Sequence, residues 1–577
     1  MATNLTSSFT FALILCVSAL SLIPHTTSLS SSFQFPPTQS TILPDPSSFF
    51  FANLLSTPLP TNSFFQNFAL NNGDKPEYFH PYSINSSSTS LSFSYPSLSS
   101  TSAFISQTFV PDLTISASQT SANLATANNS GRVISAFTDL SVTLDFPSSN
   151  LRFFLARGSP YVTCNVSSPT AVSISTIHAI LESYSSNSKT KFTVQLNNNQ
   201  TWVMYTSSPA NLIRRSPSTL TFDGYSGNIR IALVPGSDPK YVAILDRFSS
   251  AYPISGEAVF TKPFTLEYKW EKYGRGDLLM LAHPLHLQLL SNATVLEDLK
   301  YKSIDGDLVG IVGDLWELKS HNISVTWHSI GGVKQASYTE IVSAHVKALS
   351  STPITTESPY FYGKLVARAA RLALIAEEVN CLDVVPAIRK YLADAIEPWL
   401  DGTLSGNGFL YDPKWGGLVT QQGSTDRGAD FGFGVYNDHH YHLGYFVYGI
   451  SVLAKIDRAW GSKYKPQAYS LARDSGLWFA PPEAKEIRLG IQLLPISPVT
   501  EILFSDDGFA KEIVEWALPA LSREGVEEGW KGFVYALQGI YDKDGASEKI
   551  KSLKGFDDGN SLSNLLWWIH SRNLGSQ

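Results

Sequence analysis

Residues 425–453 (TDRGADFGFGVYNDHHYHLGYFVYGISVL) concentrate the residue types of this chain that could carry out chemistry. Asp438, His442 and Tyr445 are spaced i, i+4 and i+7, so they share one face of the helix that the apolar spacing predicts here. A carboxyl group among aromatic walls loses hydration in its charged form, which raises its pKa and lets it act as a general acid. The segment therefore predicts an acid site at Asp438.

A glycine-rich loop precedes the predicted helix. Gly428, Gly432 and Gly434 lack a Cβ, so the backbone at these positions can approach another group closely. Tyr441 and Tyr448 extend an aromatic stripe beside the acid face of the helix. The combination of an acidic residue, a close-approaching loop and aromatic side chains is typical of a cleft that holds a sugar.

Two other interpretations of the segment remain open. Asp438, His439, His440 and His442 suggest metal binding, but consecutive histidines point to different sides of a helix, and the sequence contains no second ligand cluster. Alternatively, Asn437 or Asp438 caps the helix and the aromatic residues belong to the core. A helix N-terminus lowers the pKa of an Asp held there, so an acid at Asp438 must turn its carboxyl away from the helix start.

The elements that must position this segment change character along the chain. Up to about residue 272, short alternating, β-branched and aromatic runs lie between Ser, Asn, Gly and Pro clusters, which predicts an antiparallel sandwich. The predicted strands include residues 91–95, 141–146, 152–155, 191–195, 228–234 and 241–245. Apolar residues then recur at helical spacing. The predicted helices are 362–379, 384–400, 441–456, 510–521 and 563–570.

These patterns predict a multidomain β plus α protein. An apolar run at residues 9–23 followed by small residues predicts a signal peptide over 1–28. The remaining predicted units are an extended Ser/Pro-rich lead-in over 29–57, a β-sandwich over 58–273, a small α/β linker domain over 274–350 and a helical domain over 351–577. Eight tryptophans lie in the helical part, where they either pack in the core or stack on sugar rings.

Composition excludes several functions. Charged residues make up 16% of the chain, the net charge is −7 and no Lys/Arg-rich run occurs, which argues against nucleic-acid binding. No apolar stretch after the N-terminus reaches the length of a membrane span. A surface rich in Ser, Thr and Asn suits an uncharged polymer as partner. We therefore expect a secreted protein, in the extracellular space or the cell wall.

Glycosylation motifs and cysteines are compatible with secretion. Six N-x-S/T sequons support passage through a glycosylating compartment. They lie at Asn85, Asn128, Asn165, Asn199, Asn292 and Asn322. Only Cys164 and Cys381 remain after removal of the signal peptide, and the sequence does not determine whether they pair.

Five blocks of the chain together resemble the plant branch of glycoside hydrolase family 81. They are DFGFGVYNDHHYHLGYF (430–446), PLPTNSFFQNF (58–68), RGSPYVT (157–163), LAHPLH (281–286) and GIQLLPISPV (490–499). The resemblance implies a secreted endo-1,3-β-glucanase that needs no cofactor or metal and inverts the anomeric carbon of β-1,3-glucan. It also implies a β-sandwich, a small α/β linker and a C-terminal (α/α)6 barrel.

The resemblance assigns the general acid of the family to Asp438, the Asp of NDHH. It also makes the neighbouring residues candidates for substrate binding. These candidates are Asp430, Tyr436, Asn437, His439, His442 and Tyr445.

The Glu-rich segment that supplies the family's general base is absent from this chain. The sequence follows the family through residue 472 and then continues at Arg473 with a stretch that in the family lies well beyond the base. A skipped exon, an error in the gene prediction or a degenerate gene copy would each produce this junction between Ala472 and Arg473. Residues 355–577 are also short for a complete twelve-helix barrel. We therefore expect an incomplete barrel.

Other carboxylates near the junction or the acid are Glu483, Glu486, Asp430 and Asp426, and none has a sequence pattern that assigns it as the base. A β-glucan-binding protein without catalytic activity is thus the alternative function.

Overall fold

The computed structural model describes residues 34–95, 97–100, 105–117, 131–319, 326–341, 353–475, 496–504 and 506–572. The predicted signal peptide lies outside these residues. So do the sequons at Asn128 and Asn322, and Glu483 and Glu486.

The first part of the chain forms a large antiparallel sheet of thirteen strands. Its strands are β1 Glu77–Tyr78, β2 Ser83–Ser86, β3 Ser90–Ser94, β6 Leu113–Ala117, β7 Val133–Phe137, β8 Ser141–Phe146, β9 Leu151–Ala156, β10 Val162–Ser175, β11 Ile180–Ser185, β12 Lys191–Leu196, β13 Thr201–Thr206, β14 Leu212–Ser216 and β15 Thr219–Leu233. Two further strands, β4 Ser97–Ser100 and β5 Ile105–Thr108, pair only with each other. The long strands β10 and β15 pair at the centre and fix the register of their neighbours.

Two smaller sheets follow. The four-stranded sheet contains β16 Ala251–Lys262, β17 Thr265–Gly274, β19 Leu290–Ser291 and β22 Leu315–Lys319, and the three-stranded sheet contains β18 Leu279–Ala282, β20 Thr294–Ser303 and β21 Gly306–Val312. A separate core, which includes Tyr268, Trp270, Met280 and Trp316, lies between these sheets. The β16–β17 hairpin thus pairs with the second unit and not with the large sheet.

The prediction of a strand over residues 241–245 is wrong. These residues lie in a helix, Pro239–Arg247. Asp238 accepts a hydrogen bond from the Lys240 backbone N–H at 2.9 Å, and Pro239 occupies the first helical turn, where its missing N–H costs nothing. An Asp-Pro start signal therefore outweighs the β-branched and aromatic content of YVAIL.

The last part of the chain is mainly helical. The described residues contain thirteen α-helices. Those before the last part are α1 Gln66–Leu70, α2 Pro239–Arg247, α3 Pro284–Leu289 and α4 Tyr338–Ile341. Those in the last part are α5 Pro359–Glu378, α6 Val385–Asp401, α7 His439–Ile456, α8 Arg458–Ser475, α9 Pro498–Leu503, α10 Asp507–Ala517, α11 Glu528–Gln538, α12 Lys543–Ser552 and α13 Leu562–Ser571. A hairpin, β23 Phe409–Asp412 and β24 Gly417–Thr420, precedes the loop that leads into α7. The predicted helices all occur here with shifted ends.

Most of the tryptophans of the helical part are core residues. Trp399, Trp415, Trp567 and Trp568 are fully buried. Trp516 on α10 and Trp530 on α11 differ, since they are 82% and 62% exposed.

Residues 35–59, called the N-terminal strap here, connect the large-sheet part of the molecule to the helical part. The Thr38 N–H donates to the carbonyl of Tyr411, and the Tyr411 N–H donates to Pro36, each at 2.8 Å. Phe35 packs edge-on against Phe409 and belongs to the helical core. Farther along, the Leu59 N–H donates to the carbonyl of Trp415. The β23–β24 hairpin is therefore positioned by residues that precede the large sheet.

The structure also answers the question of the cysteines. Cys164 is buried in the core of the large sheet, Cys381 is half-buried in the helical part, and the two do not form a disulfide bond. None of the helices within the described residues is both long and apolar enough to cross a bilayer.

Candidate active site

The loop before α7 holds an unusual backbone. Asp430, Phe431, Tyr436 and Asp438 all have left-handed φ angles between 53° and 62°. Such conformations are unfavourable for residues with a Cβ, and they cluster at functional sites where the surrounding structure enforces them. The sharp turns bring several polar side chains of the loop to the start of α7.

Glycine allows this loop to pack tightly. A Cβ at Gly434 would lie 1.8 Å from the carbonyl oxygen of Gly423, so no other residue fits there. The sequence predicted that the backbone of this glycine-rich loop approaches another group closely. At Gly434 that group is the backbone of Gly423 in the same chain. Gly432 additionally adopts a φ of 83°, in the left-handed region.

Asp438 occupies the N-cap position of α7 without acting as a side-chain cap. Its backbone carbonyl accepts hydrogen bonds from the N–H groups of Tyr441 and His442 at 3.0 and 3.3 Å, whereas its carboxyl caps no backbone N–H. Its Oδ1 atom is buried without a hydrogen-bond partner. Desolvation raises the pKa of Asp438, opposed more weakly by His442 and His439. The carboxyl therefore has the protonation tendency that a general acid requires.

His439 is anchored beneath this loop. Its Nε2 donates to the carbonyl of Phe433 at 2.8 Å, its Nδ1 contacts the carboxylate of Asp474, and its ring stacks on Phe433 at 3.9 Å. Asp474 also accepts from the Leu418 backbone N–H at 2.7 Å. This buried arrangement ties the end of α8 to β24 and to the residue next to Asp438. Because Asp474 lies 36 residues from Asp438, no local sequence pattern identifies it.

Asp430 and His442 form a second buried pair. The Asp430 carboxyl accepts a hydrogen bond from the Ser358 hydroxyl, and its Oδ2 lies 3.2 Å from His442 Nδ1 without hydrogen-bond geometry. The Asp430 side chain is 3% exposed. Desolvation lowers the pKa of His442, and Asp430 opposes that shift, so the imidazole is neutral at neutral pH.

The other candidate residues have different surroundings. Tyr436 is buried in the core of the large sheet, its carbonyl accepts from Gln66 Nε2 at 3.0 Å, and its hydroxyl donates to Asp412 at 3.4 Å. Asn437 is half-buried and donates to the carbonyl of Phe431 at 2.8 Å. Tyr445 is buried, and desolvation raises its pKa.

Exposed aromatic side chains border the acid loop. Phe431 is 54% exposed, and Phe361 on α5 lies 6.1 Å from it between ring centroids. Tyr360 lies between them and α7, with its ring 5.4 Å from His442 and 5.8 Å from Tyr445. Aromatic faces of this kind offer stacking surfaces for sugar rings. Phe361 and Tyr360 are not among the site residues predicted from the sequence, because they precede the loop by about 70 residues.

A metal centre has no support in this region. Within the described ranges, no three His, Cys, Asp or Glu side chains form a group that could hold a metal ion. His440 is half-buried, and desolvation lowers its pKa to about 3. A desolvated carboxyl beside exposed aromatic faces instead has the character of a glycoside hydrolase site.

Comparison with known proteins agrees with this class. Residues 45–329 match the family model described as "Glycosyl hydrolase family 81 N-terminal domain". It matches "Glycosyl hydrolase family 81 C-terminal domain" over residues 332–477 and again over 472–569. The chain belongs to glycosyl hydrolase family 81, which confirms the family that the sequence blocks indicated.

Individual relatives and one solved structure agree. A glucan endo-1,3-beta-D-glucosidase of Glycine max is 53% identical over 663 aligned positions, which cover 94% of this chain and 99% of the relative. A protein of the same name from Thermobifida fusca is 28% identical over 45% of this chain and 35% of its own length. The structure of a glycoside hydrolase family 81 protein from Clostridium thermocellum superimposes with a TM-score of 0.75 at 14% identity, covering 93% of this chain and 90% of that one.

Proposed function

We propose that this protein is an endo-1,3-β-glucanase by descent, that Asp438 is its general acid, and that the segment carrying its general base is absent from the chain. The observation that carries the role of Asp438 is its geometry. The carboxyl is desolvated, has a raised pKa and caps no backbone N–H, although it stands at a helix start. The family and the glucan endo-1,3-beta-D-glucosidase of Glycine max support β-1,3-glucan as the substrate.

In the proposed reaction, Asp438 donates its proton to the glycosidic oxygen as the bond to the anomeric carbon breaks. The exposed rings of Phe431 and Phe361 stack on glucosyl units and orient them toward Asp438. Inversion requires a second carboxylate on the opposite face of the sugar, roughly 6.5 to 9.5 Å from the first, to activate the attacking water.

Four described carboxylates in this part of the chain have surroundings that do not suit a solvated base. The Asp430 carboxyl accepts from the Ser358 hydroxyl and is 3% exposed, and Asp474 accepts from the Leu418 N–H and contacts His439. Asp412 is fully buried and its pKa is raised by desolvation. Asp557 forms an ion pair with Lys364 at 2.6 Å. We therefore assign no substitute base among the described residues.

Three observations support an internal gap in the helical domain. The two C-terminal family matches meet at residues 472–477, at the junction that the sequence indicates between Ala472 and Arg473. The alignment with the Glycine max protein has 663 positions, 86 more than the 577 residues of this chain, so at least that many positions lack a counterpart here. Trp516, Trp530 and Phe509 are large apolar side chains with more than half of their surface exposed, as expected for helices that lack a neighbour. We infer that the (α/α)6 barrel is incomplete.

A β-glucan-binding protein without hydrolytic activity is the second candidate. The exposed aromatic rings beside Asp438 favour it, because they can bind a glucan chain even where the base is missing. Loss of a general base lowers the rate of hydrolysis by about 10² to 10⁴-fold. It does not remove the aromatic surface that binds the glucan.

The test is the release of reducing ends from laminarin, together with binding to insoluble β-1,3-glucan. We expect binding with little or no turnover by this chain, and turnover when the family's missing block is restored between Ala472 and Arg473. In the restored protein, Asp438→Asn should lower kcat by about 10² to 10⁴. Asp394→Asn, a change on the exposed face of α6, is the matched control and should leave kcat unchanged.

Each outcome separates the parts of the proposal. Retained activity of the Asp438→Asn variant would overturn the role of Asp438 as acid. Rapid turnover by the 577-residue chain would show that another carboxylate acts as the base. Absence of both binding and turnover in the restored protein would contradict the glucanase assignment.

Secretion to the extracellular space or the cell wall is part of the same proposal. Cell-wall glucan is an extracellular polymer, and a relative from Schizosaccharomyces pombe is named a primary septum glucan endo-1,3-beta-D-glucosidase. The apolar N-terminal run supports export.

A further inference from the structure

A small recess of about 20 Å³ lies where the large sheet meets the two smaller sheets. Two sequence blocks that the proposed reaction does not use converge there: RGSPYVT contributes Arg157, and LAHPLH contributes His283 and His286. Trp270 on β17 and Trp316 on β22 form its aromatic wall. The recess therefore depends on at least four different segments of the chain, none of which is part of the loop before α7.

Three nitrogen atoms in this wall are buried without a hydrogen-bond partner. They are the indole Nε1 atoms of Trp270 and Trp316 and the Nδ1 atom of His286. Trp270 is 6% and Trp316 2% exposed. A buried donor that lacks an acceptor is costly and rare in folded proteins, so two indole donors at one recess call for an acceptor from outside the chain.

The other polar groups of the recess explain what kind of acceptor fits. His283 Nδ1 accepts from the Leu285 N–H at 3.2 Å and its Nε2 faces Asp305 at 3.2 Å, so both ring nitrogens are used. His80 Nε2 accepts from Arg157 at 3.4 Å. Desolvation and the charge of Arg157 lower the pKa of His286 to about 3, which keeps this imidazole neutral. The recess is thus lined by two indole donors and by the guanidinium of Arg157.

The size of the open space excludes a stacked sugar. Tyr268, Trp270 and Trp316 are almost completely covered by each other and by His286, with ring centroids 4.8 to 6.3 Å apart. No broad aromatic face of these three residues is open to a pyranose ring. A compact acceptor fits this space better than a carbohydrate.

We propose that the recess binds one compact monovalent anion, a halide or a small carboxylate, held by the indole N–H groups of Trp270 and Trp316 and by the guanidinium of Arg157. The anion joins β17 and β22 to the residue that follows β9, and it stabilises the contact between the large and the small sheets. This site is distinct from the one proposed for hydrolysis, because none of the residues that line it belongs to the loop before α7.

The direct test is a crystal structure of the full chain grown in sodium bromide. We expect an anomalous bromide peak in the recess, within about 3.5 Å of the indole nitrogen atoms. Crystals grown in sodium acetate show whether a carboxylate occupies the same place. Ordered water alone in the recess under both conditions would overturn the proposal.

Thermal unfolding provides a second test in solution. At constant ionic strength, replacing gluconate, which is too large to enter, by chloride should raise the unfolding midpoint, since a ligand that binds only the folded state stabilises it. Trp316→Phe keeps the ring and removes the donor, so the chloride-dependent rise should shrink to less than half.

Trp202→Phe is the matched control. Trp202 is fully buried in the large sheet, but its Nε1 already donates to Gln200 at 3.0 Å. This variant should unfold at a lower temperature and still show the whole chloride-dependent rise. A rise of equal size in Trp316→Phe and wild type would contradict the proposed site, as would the absence of any rise in wild type.

Discussion

At the scale of single residues, Asp438 combines two features that oppose stability. Its backbone is left-handed and its carboxyl is desolvated with a raised pKa. If Asp438 lowered the stability of the fold and had no function, substitutions that stabilise the protein would be expected at this position. The unfavourable setting therefore fits a residue kept for its chemistry.

The raised pKa of Asp438 predicts how its replacement changes stability. The folded protein binds the proton of Asp438 more strongly than the unfolded chain does, so stability falls as the pH rises from the ordinary pKa through the folded pKa, and the full cost is present at pH values above it. Below the ordinary pKa of 3.8 it is protonated in both states and costs nothing. Asp438→Asn should therefore raise the thermal midpoint at pH 7 and leave it unchanged at pH 3, because Asn also tolerates a left-handed backbone.

The measurement is thermal unfolding followed by circular dichroism at both pH values. Asp394→Asn removes an exposed carboxyl that pairs with Lys390 and should show no such pH-dependent gain. A lower midpoint of Asp438→Asn at pH 7 would mean that the carboxylate is stabilised in the folded state, contrary to its observed surroundings.

At the scale of elements, regular segments follow from the sequence, and the connections between them do not. The strand Ser141–Phe146 and the helix α13 lie where their spacing predicts them. The helix α2 was missed because its Asp-Pro start signal competes with a strand-like composition. The left-handed loop before α7 and the His439–Asp474 contact depend on distant residues, so local periodicity carries no signal for them.

The N-terminal strap is another element whose role only the structure reveals. Its composition predicts an extended lead-in, yet Phe35 is buried in the helical core. Phe35→Ala should destabilise the protein by about 3 to 5 kcal/mol, as expected for a buried phenylalanine. Phe51→Ala, at a position of the strap that is 42% exposed, should cost clearly less than Phe35→Ala.

Urea unfolding of the two strap variants measures this difference. Equal and small effects of both substitutions would show that the strap does not support the β23–β24 hairpin and the helices around it.

At the scale of the whole molecule, the separate cores are unequal in size. The large sheet has an extended core that even includes Trp415 and Tyr436 from the helical part. The helices α10–α13 have a smaller core and expose Trp516 and Trp530 on α10 and α11. Burial of apolar surface drives folding, so two exposed indoles on adjacent helices are what we expect if the barrel is incomplete as proposed.

Inserting the block that we propose is missing between Ala472 and Arg473 tests this interpretation through stability alone. In the present chain Trp516→Ala should change the free energy of unfolding by less than about 0.5 kcal/mol, because the side chain is 82% exposed. In the restored protein the same substitution should cost about 3 to 5 kcal/mol, since the indole would then be buried. Trp567→Ala, at a fully buried position, should be costly in both proteins. An equally small effect of Trp516→Ala in both would show that the block does not cover this face, and the exposed tryptophans would then need another explanation than an incomplete barrel.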